Sequence, residues 1–238
     1  MFLIDKPVDI SSFGVVSKMR WVLGMKKVGH AGTLDPFATG LLIVCAGRPA
    51  TKLISQFMDG EKEYLATLRL GVETETLDTE GEIVKRTDVG DISATKIETC
   101  LENFRGVQQQ VPPAYSALKH KGKPLYYYAR KGIKIEKEAR EITISTLERT
   151  DGSSDLSGKE AELHVRVVCS KGTYIRTLAA DIGAALGCGA HLTALRRTKS
   201  GMFSVDDALS WDQLTEEIAL DHCLKKMISV EEVAKLLQ

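Results

Sequence analysis

The stretch Lys27-Val28-Gly29-His30-Ala31-Gly32-Thr33-Leu34-Asp35-Pro36-Phe37-Ala38-Thr39-Gly40 sets one carboxylate in a loop whose backbone is unusually constrained. Its three glycines permit positive φ or the close approach of a ligand. Pro36 fixes its own φ and biases Asp35 toward an extended conformation. The run Leu41-Leu42-Ile43-Val44-Cys45-Ala46 that follows reads as a short buried strand, a rigid anchor for the loop. From these residues alone two readings stand: a positioned catalytic carboxylate, or an Asx-type turn ahead of a strand.

Outward from this loop the pattern predicts strands and helices in no regular alternation. Ser11 or Ser12 caps a helix to about Leu23, with Val15, Val16 and Met19 on one apolar face and Gly24 as its stop. Thr51 to Phe57 reads as helical. Tyr64, Ala66, Leu68 and Leu70 alternate as a half-buried strand. Asp78-Thr79-Glu80-Gly81 is a turn, and Ala94 to Phe104 a helix with Ile97 and Leu101 inward. Glu141 to Arg149 and Ala161 to Ser170 are strand-like, joined by the polar stretch Thr150 to Lys159. A helix carrying Leu178, Ile182 and Leu186 ends near Gly187, and further helical pieces lie at Trp211 to Ile218 and Val230 to Leu237. This order argues for an α+β fold.

The 238 residues, 43% hydrophobic and 27% charged, suit a globular protein with one sizeable core or two small ones. No apolar run approaches the length of a membrane helix and no basic leader precedes Met1-Phe2-Leu3, so the expectation is a cytoplasmic protein without a membrane partner. Cys45, Cys100, Cys169, Cys188 and Cys223 are scattered without CxxC spacing, which predicts buried thiols and neither disulfide nor metal. Net charge is zero, yet Tyr115 to Arg140 holds eight Lys or Arg against two Glu, while Val205 to Gln238 holds three basic against eight acidic residues. That polarity fits docking of one face on nucleic acid; a solvated charged surface is the plainer reading.

His30-Ala31-Gly32-Thr33-Leu34-Asp35-Pro36 with Ala38-Thr39-Gly40 resembles the central motif of the TruB family of tRNA pseudouridine synthases. Further segments resemble that family in the same order: Asp5-Lys6-Pro7 with Ser11-Ser12, Tyr64 before Leu70-Gly71, and Val111-Pro112-Pro113-Ala114-Tyr115-Ser116-Ala117-Leu118-Lys119. Lys171-Gly172-Thr173-Tyr174-Ile175-Arg176-Thr177 and Leu195-Arg196-Arg197-Thr198 with Ser200-Gly201-Met202-Phe203 complete the set. The likeness covers roughly residues 1 to 204.

The resemblance implies a pseudouridine synthase fold, with a mixed and largely antiparallel sheet flanked by helices and loops. It implies a catalytic domain over 1–204 with an RNA-binding insertion near 108–140, and a helical extension over 205–238. Family members commonly carry a C-terminal PUA domain, and no complete one is expected in the residues after Phe203. The implied reaction converts the T-loop uridine 55 of tRNA to pseudouridine after base flipping, without cofactor or metal, by a monomer needing no protein partner. No P-loop, dinucleotide fingerprint or clustered metal ligands stand in the sequence.

Asp35 is carried over as the catalytic carboxylate, Arg176 as the guanidinium that pairs with it, and Tyr64 as the ring that stacks on the target uracil. His30 fills the gap left by the extruded base, Tyr174 packs or hydrogen-bonds beside Arg176, and Leu195 is an apolar wall. Lys119, Lys121, Lys123, Arg130 and Lys131, interleaved with Tyr126-Tyr127-Tyr128, suit phosphate contact and base stacking, and Lys6 and the Arg196-Arg197 pair are further phosphate ligands. Core packing is the alternative for each tyrosine and for Leu195, and a structural role is the alternative for His30. Two rival functions remain at this point. One is a catalytically idle RNA chaperone using the same surface; the other is the guide-RNA-dependent branch of the superfamily.

Overall fold

The computed structural model describes residues 1–152, 154–159 and 161–236. Its principal elements in chain order are β1 (Phe2–Lys6), α1 (Ser12–Val22), β2 (Val28–Ala31), β3 (Thr39–Ala46), β4 (Lys62–Leu70), α2 (Ala94–Asn103), β5 (Gly106–Gln110), β6 (Arg140–Arg149), β7 (Glu162–Cys169), α3 (Ile175–Leu186) and β8 (Ala190–Ser200). They sort into two compact units. The first is Met1–Tyr64 together with the chain from Arg196 onward, and the second is Leu65–Leu195. The residues of β4 and β8 are therefore divided between the units.

In the first unit β3 is the central strand. It pairs antiparallel with β1, from Phe2 opposite Val44 to Lys6 opposite Gly40, and with β2, from Val28 opposite Ala46 to Ala31 opposite Ile43. Its pairing with β8 is parallel, through Thr39 with Arg196 and Gly40 with Arg197. Because strand side chains alternate, β3 covers two cores. Leu42 and Val44 join Val15, Val16 and Met19 of α1 and, from the C-terminal segment, Leu209, Leu214 and Cys223. Leu41, Ile43 and Cys45 pack on the opposite face with Phe57, Phe203 and Val233. Burial on both faces explains the unbroken apolar run at Leu41 to Ala46. The residues after Phe203 thus complete both cores of this unit.

In the second unit the strand order is β8-β4-β7-β6-β5. β6 runs antiparallel to both β5 and β7, with a register shift between Ile144 and Thr146. Tyr64, Ala66, Leu68 and Leu70 are buried along β4, as their alternation predicts. The same holds for Leu163, Val165 and Val167 along β7. The architecture is α+β: β1 and β2 pair antiparallel with β3, β5 and β7 pair antiparallel with β6, and β3 pairs parallel with β8.

Two expectations are corrected. Thr51 to Phe57 is two single turns, Arg48–Thr51 and Ile54–Phe57, because Gly47 at φ +84° and Pro49 start the first turn three residues early. Trp211 to Ile218 stops at Thr215, where Glu216 turns extended, and a separate helix follows at Ala219–Lys225. The last helix runs Val230–Leu236; Leu237 lies outside the described residues. β1 and β8 were not read from the sequence as strands at all.

Gly40 is where β3 and β8 meet most closely: its φ is +100° and a Cβ there would overlap the Arg197 backbone carbonyl. Gly40→Ala is therefore expected to cost about 3 kcal/mol or more, through strain that neither strand relieves. Urea unfolding, or loss of soluble protein, measures it.

Candidate active site

Asp35 sits half-buried in the loop between β2 and β3, and three buried polar groups of the first unit hold that loop. Arg197, 2% exposed, donates from Nη2 to the Gly32 carbonyl (3.0 Å) and from Nε to the Leu41 carbonyl (2.7 Å), tying the two ends together. Ser12 donates its hydroxyl to the Leu34 carbonyl (2.9 Å) and accepts the Leu34 N–H (2.8 Å), which locks the residue before Asp35. The Pro36 carbonyl, one residue after, accepts from Lys6 Nζ (3.0 Å) and from the Asp9 N–H (3.0 Å). Ser11 is the helix cap, its side chain accepting the Gly14 N–H, which frees Ser12 for the loop. At about 1 kcal/mol net for each hydrogen bond, these contacts offset part of the backbone entropy lost in ordering the segment.

Lys6 is a correction. The expectation was a phosphate ligand, yet Lys6 is 0% exposed and its ammonium donates to the carbonyls of Pro7, Ile10 and Pro36. A lysine with its donors spent on buried carbonyls organises the loop. The Arg196-Arg197 expectation changes likewise: Arg197 is interior, and the fork of Arg196 is engaged by Asp5 at 3.0 and 2.8 Å.

His30 lies on β2 opposite Val44, half-buried. Burial, with the Arg197 charge second, pushes its imidazole pKa below the usual 6.5. Its Nδ1 is buried and has no hydrogen-bond partner among the described residues. Tyr64 is 9% exposed on β4.

In the second unit Arg176 opens α3 and is 4% exposed. It donates to the carbonyls of Thr76 (2.8 Å) and Tyr115 (2.7 Å) and pairs with Asp78 at 3.2 Å. Asp78, itself 1% exposed, accepts the Glu80 N–H at 2.9 Å and the Thr76 hydroxyl. A turn read from the sequence as plain is thus a cradle for a buried guanidinium. The backbone of Tyr174 is gripped by Gln110, which accepts its N–H (2.8 Å) and donates to its carbonyl (3.0 Å). Leu195 is 7% exposed on β8. Asp35, His30 and Tyr64 belong to one unit, and Tyr174, Arg176 and Leu195 to the other.

Lys119, Lys121, Lys123, Arg130 and Lys131 are all exposed, on a tight hairpin and the short helix Leu125–Ala129 that follows. Lys119–His120 pairs with Lys123–Pro124 across Lys121 (φ +47°) and Gly122 (φ +82°), a turn with both central residues left-handed. The tyrosines divide their work. Tyr128 bonds the His120 carbonyl, Tyr126 lies open beneath Arg130, and the Tyr127 hydroxyl accepts from Lys123 (3.0 Å) and Lys131 (2.8 Å). Those two ammonium groups pull the Tyr127 pKa down to about 8.

Residues 20–175 match the profile described as the TruB family pseudouridylate synthase N-terminal domain, and 176–235 match the tRNA pseudouridylate synthase B C-terminal domain. This chain belongs to the TruB family. The protein named tRNA pseudouridine synthase B in Desulfotalea psychrophila is 68% identical over 238 residues, all of this chain and 96% of its own length. Its namesake in Chromobacterium violaceum is 55% identical over 208 residues, 87% of this chain and 65% of that protein. Among solved structures, a chain of a Cbf5-Nop10-Gar1 complex superposes with a TM-score of 0.72 at 28% identity, over 97% of this chain and 60% of that one.

Sequence reasoning missed Ser12 as a loop ligand and Arg197 as the loop tie in the first unit, and Asp78 and Gln110 as holders of Arg176 and Tyr174 in the second. The signal for Ser12 was present as a Ser-Ser pair where a cap needs only one. Among the described residues no helix is long and apolar enough to cross a membrane, and no three His, Cys, Asp or Glu side chains gather as a metal site.

Because the pKa of His30 is lower in the folded state, the unfolded chain binds more protons just below pH 6.5, and stability falls as pH drops through that value. His30→Gln removes this share. Urea unfolding of both proteins on either side of pH 6.5 measures it: the variant is expected to lose less stability on acidification than the parent.

Proposed function

We propose that this protein is a tRNA pseudouridine-55 synthase, with Asp35 as its essential carboxylate. The glycosidic bond from C1′ to N1 breaks and a bond from C1′ to C5 forms; C5 gives up its proton and N1 gains one, so the atoms balance without a redox partner. A carboxylate held beside the sugar and base serves this rearrangement, and routes through C1′, C6 or a glycal all call on it. The loop carries the reading: a half-buried aspartate flanked on both sides by residues whose backbone groups are bound by Ser12, Lys6 and Asp9 is preorganised before substrate arrives.

Tyr64 and Arg176 complete the proposed catalytic set, Tyr64 as a stacking face for the uracil and Arg176 as its fixed positive charge. The uridine must leave the stack to be reached, and His30, neutral and with an unmet Nδ1, takes the vacated place. Tyr174 and Leu195 are assigned as further contacts to the uridine. The hairpin with Lys119, Lys121 and Lys123, and Arg130 and Lys131 beyond it, holds the phosphates of the T-arm. The enzyme acts in the cytoplasm as a monomer, without guide RNA.

Asp35→Asn keeps the size and hydrogen-bonding shape of the side chain and removes the charge. It is expected to bind unmodified tRNA transcript as the parent does while product formation falls on the order of 10³-fold or more. Carbodiimide-dependent reverse-transcription stops read the product. A stop at the T-loop position with both proteins would overturn the assignment.

A further inference from the structure

β5 ends on a run of glutamines of which only the last is interior: Gln109 is exposed, while Gln110, opposite Arg140 of β6, is 5% exposed. A side-chain amide has both a donor and an acceptor to satisfy, and burying one without partners is costly. Gln110 satisfies both on a single distant residue. Its Oε1 accepts the Tyr174 N–H (2.8 Å) and its Nε2 donates to the Tyr174 carbonyl (3.0 Å), so the amide stands in for a neighbouring strand.

Tyr174 is the residue on which α3 starts. Its backbone is extended (φ −97°, ψ 107°) and its side chain makes no cap, where helices favour a short polar residue that does. Its carbonyl also accepts the Leu178 N–H (3.1 Å), the first bond of the helix. With the N–H and both acceptor sites of that residue taken, the peptide planes at the head of α3 have one setting. Arg176 follows in the first turn, and its guanidinium is held by the Thr76 and Tyr115 carbonyls and by Asp78. The charge is thus fixed at the tip of the side chain by these groups and at its root by Gln110. The short segment from Gln110 to Tyr115 grips the start of α3 at both points.

We infer that Gln110 is a positioning residue for the isomerisation: by setting the first turn of α3 it sets where the Arg176 charge and the Tyr174 ring meet the uridine. The inference rests on the roles proposed above for those two residues.

Gln110→Met and Gln110→Glu test it through two readings beside the parent, the single-turnover rate at saturating tRNA and the Kd for tRNA. Methionine keeps the length of the side chain and removes both bonds. Its rate is expected to fall about 10- to 100-fold with Kd within about twofold of the parent's, because a misplaced charge slows the chemical step and leaves the phosphate contacts alone. An ionised glutamate accepts the Tyr174 N–H but has nothing to donate to the carbonyl, whereas a protonated one does both, as the amide does. The Gln110→Glu rate is therefore expected to be low at about pH 8 and to climb toward the parent's, taken at the same pH, as the pH falls to about 5.5. An amide that serves stability alone gives a lower urea midpoint and a parental rate in the folded protein. That result overturns the inference and leaves the pseudouridine activity standing, as does a loss confined to Kd. If Gln110→Met does not fold, Gln110→Glu decides alone: a rate in constant ratio to the parent's across that pH range overturns the inference. A parent that makes no pseudouridine overturns the activity and the inference with it.

Discussion

One buried guanidinium carries the organisation of the first unit. Arg197 spends two donors on the carbonyls of Gly32 and Leu41, which bracket the Asp35 loop, while its own backbone pairs with Gly40 in the parallel contact between β8 and β3. An unpaired charge in such a place is prohibitively costly, so the carbonyls and the cation need each other. The same interaction explains the glycines. A Cβ at Gly32 would sit 3.2 Å from Arg197 Nη1, and Gly40 has backbone where its side chain would be. Side-chain chemistry, strand register and glycine placement thus answer a single constraint.

With both ends of the loop tied, Ser12 and Lys6 act on its middle, at the residues directly before and after Asp35. Catalysis by a carboxylate gains from this because orientation is settled during folding and is not purchased from substrate binding. The Arg197 charge also reaches His30 and, with burial, lowers its pKa, as the proposed insertion among bases calls for. Arg176 repeats the device in the second unit, held by Asp78 and two carbonyls.

Much of the fold was legible because it obeys periodicity. The α1 face, the alternation along β4 and β7, and the glycine stop of α3 at Gly187 all follow from spacing and elementary backbone preferences. β8 was not legible, since a fully buried arginine occupies an inward position that an apolar pattern would leave to valine or leucine. β1 hid for the same reason, ending on a buried lysine. Lys6 and Arg197 look like phosphate ligands in a one-dimensional reading because sequence shows charge and not the carbonyls that consume it. Asp78 and Gln110 were equally silent: each serves a residue about a hundred or sixty-four positions away, and no local rule reports such pairs.

The central claim is that the loop's ties set the geometry of Asp35, and Ser12→Ala tests it with the least disturbance. The substitution deletes one hydroxyl from the first position of α1 and leaves the Ser11 cap in place. The measurement is the single-turnover rate of pseudouridine formation at saturating tRNA. A fall of roughly 10- to 100-fold is predicted, in a protein still folded, because slight misplacement of a reacting group costs that much. A rate equal to the parent's would contradict the account and return Asp35 to a loop that needs no tie.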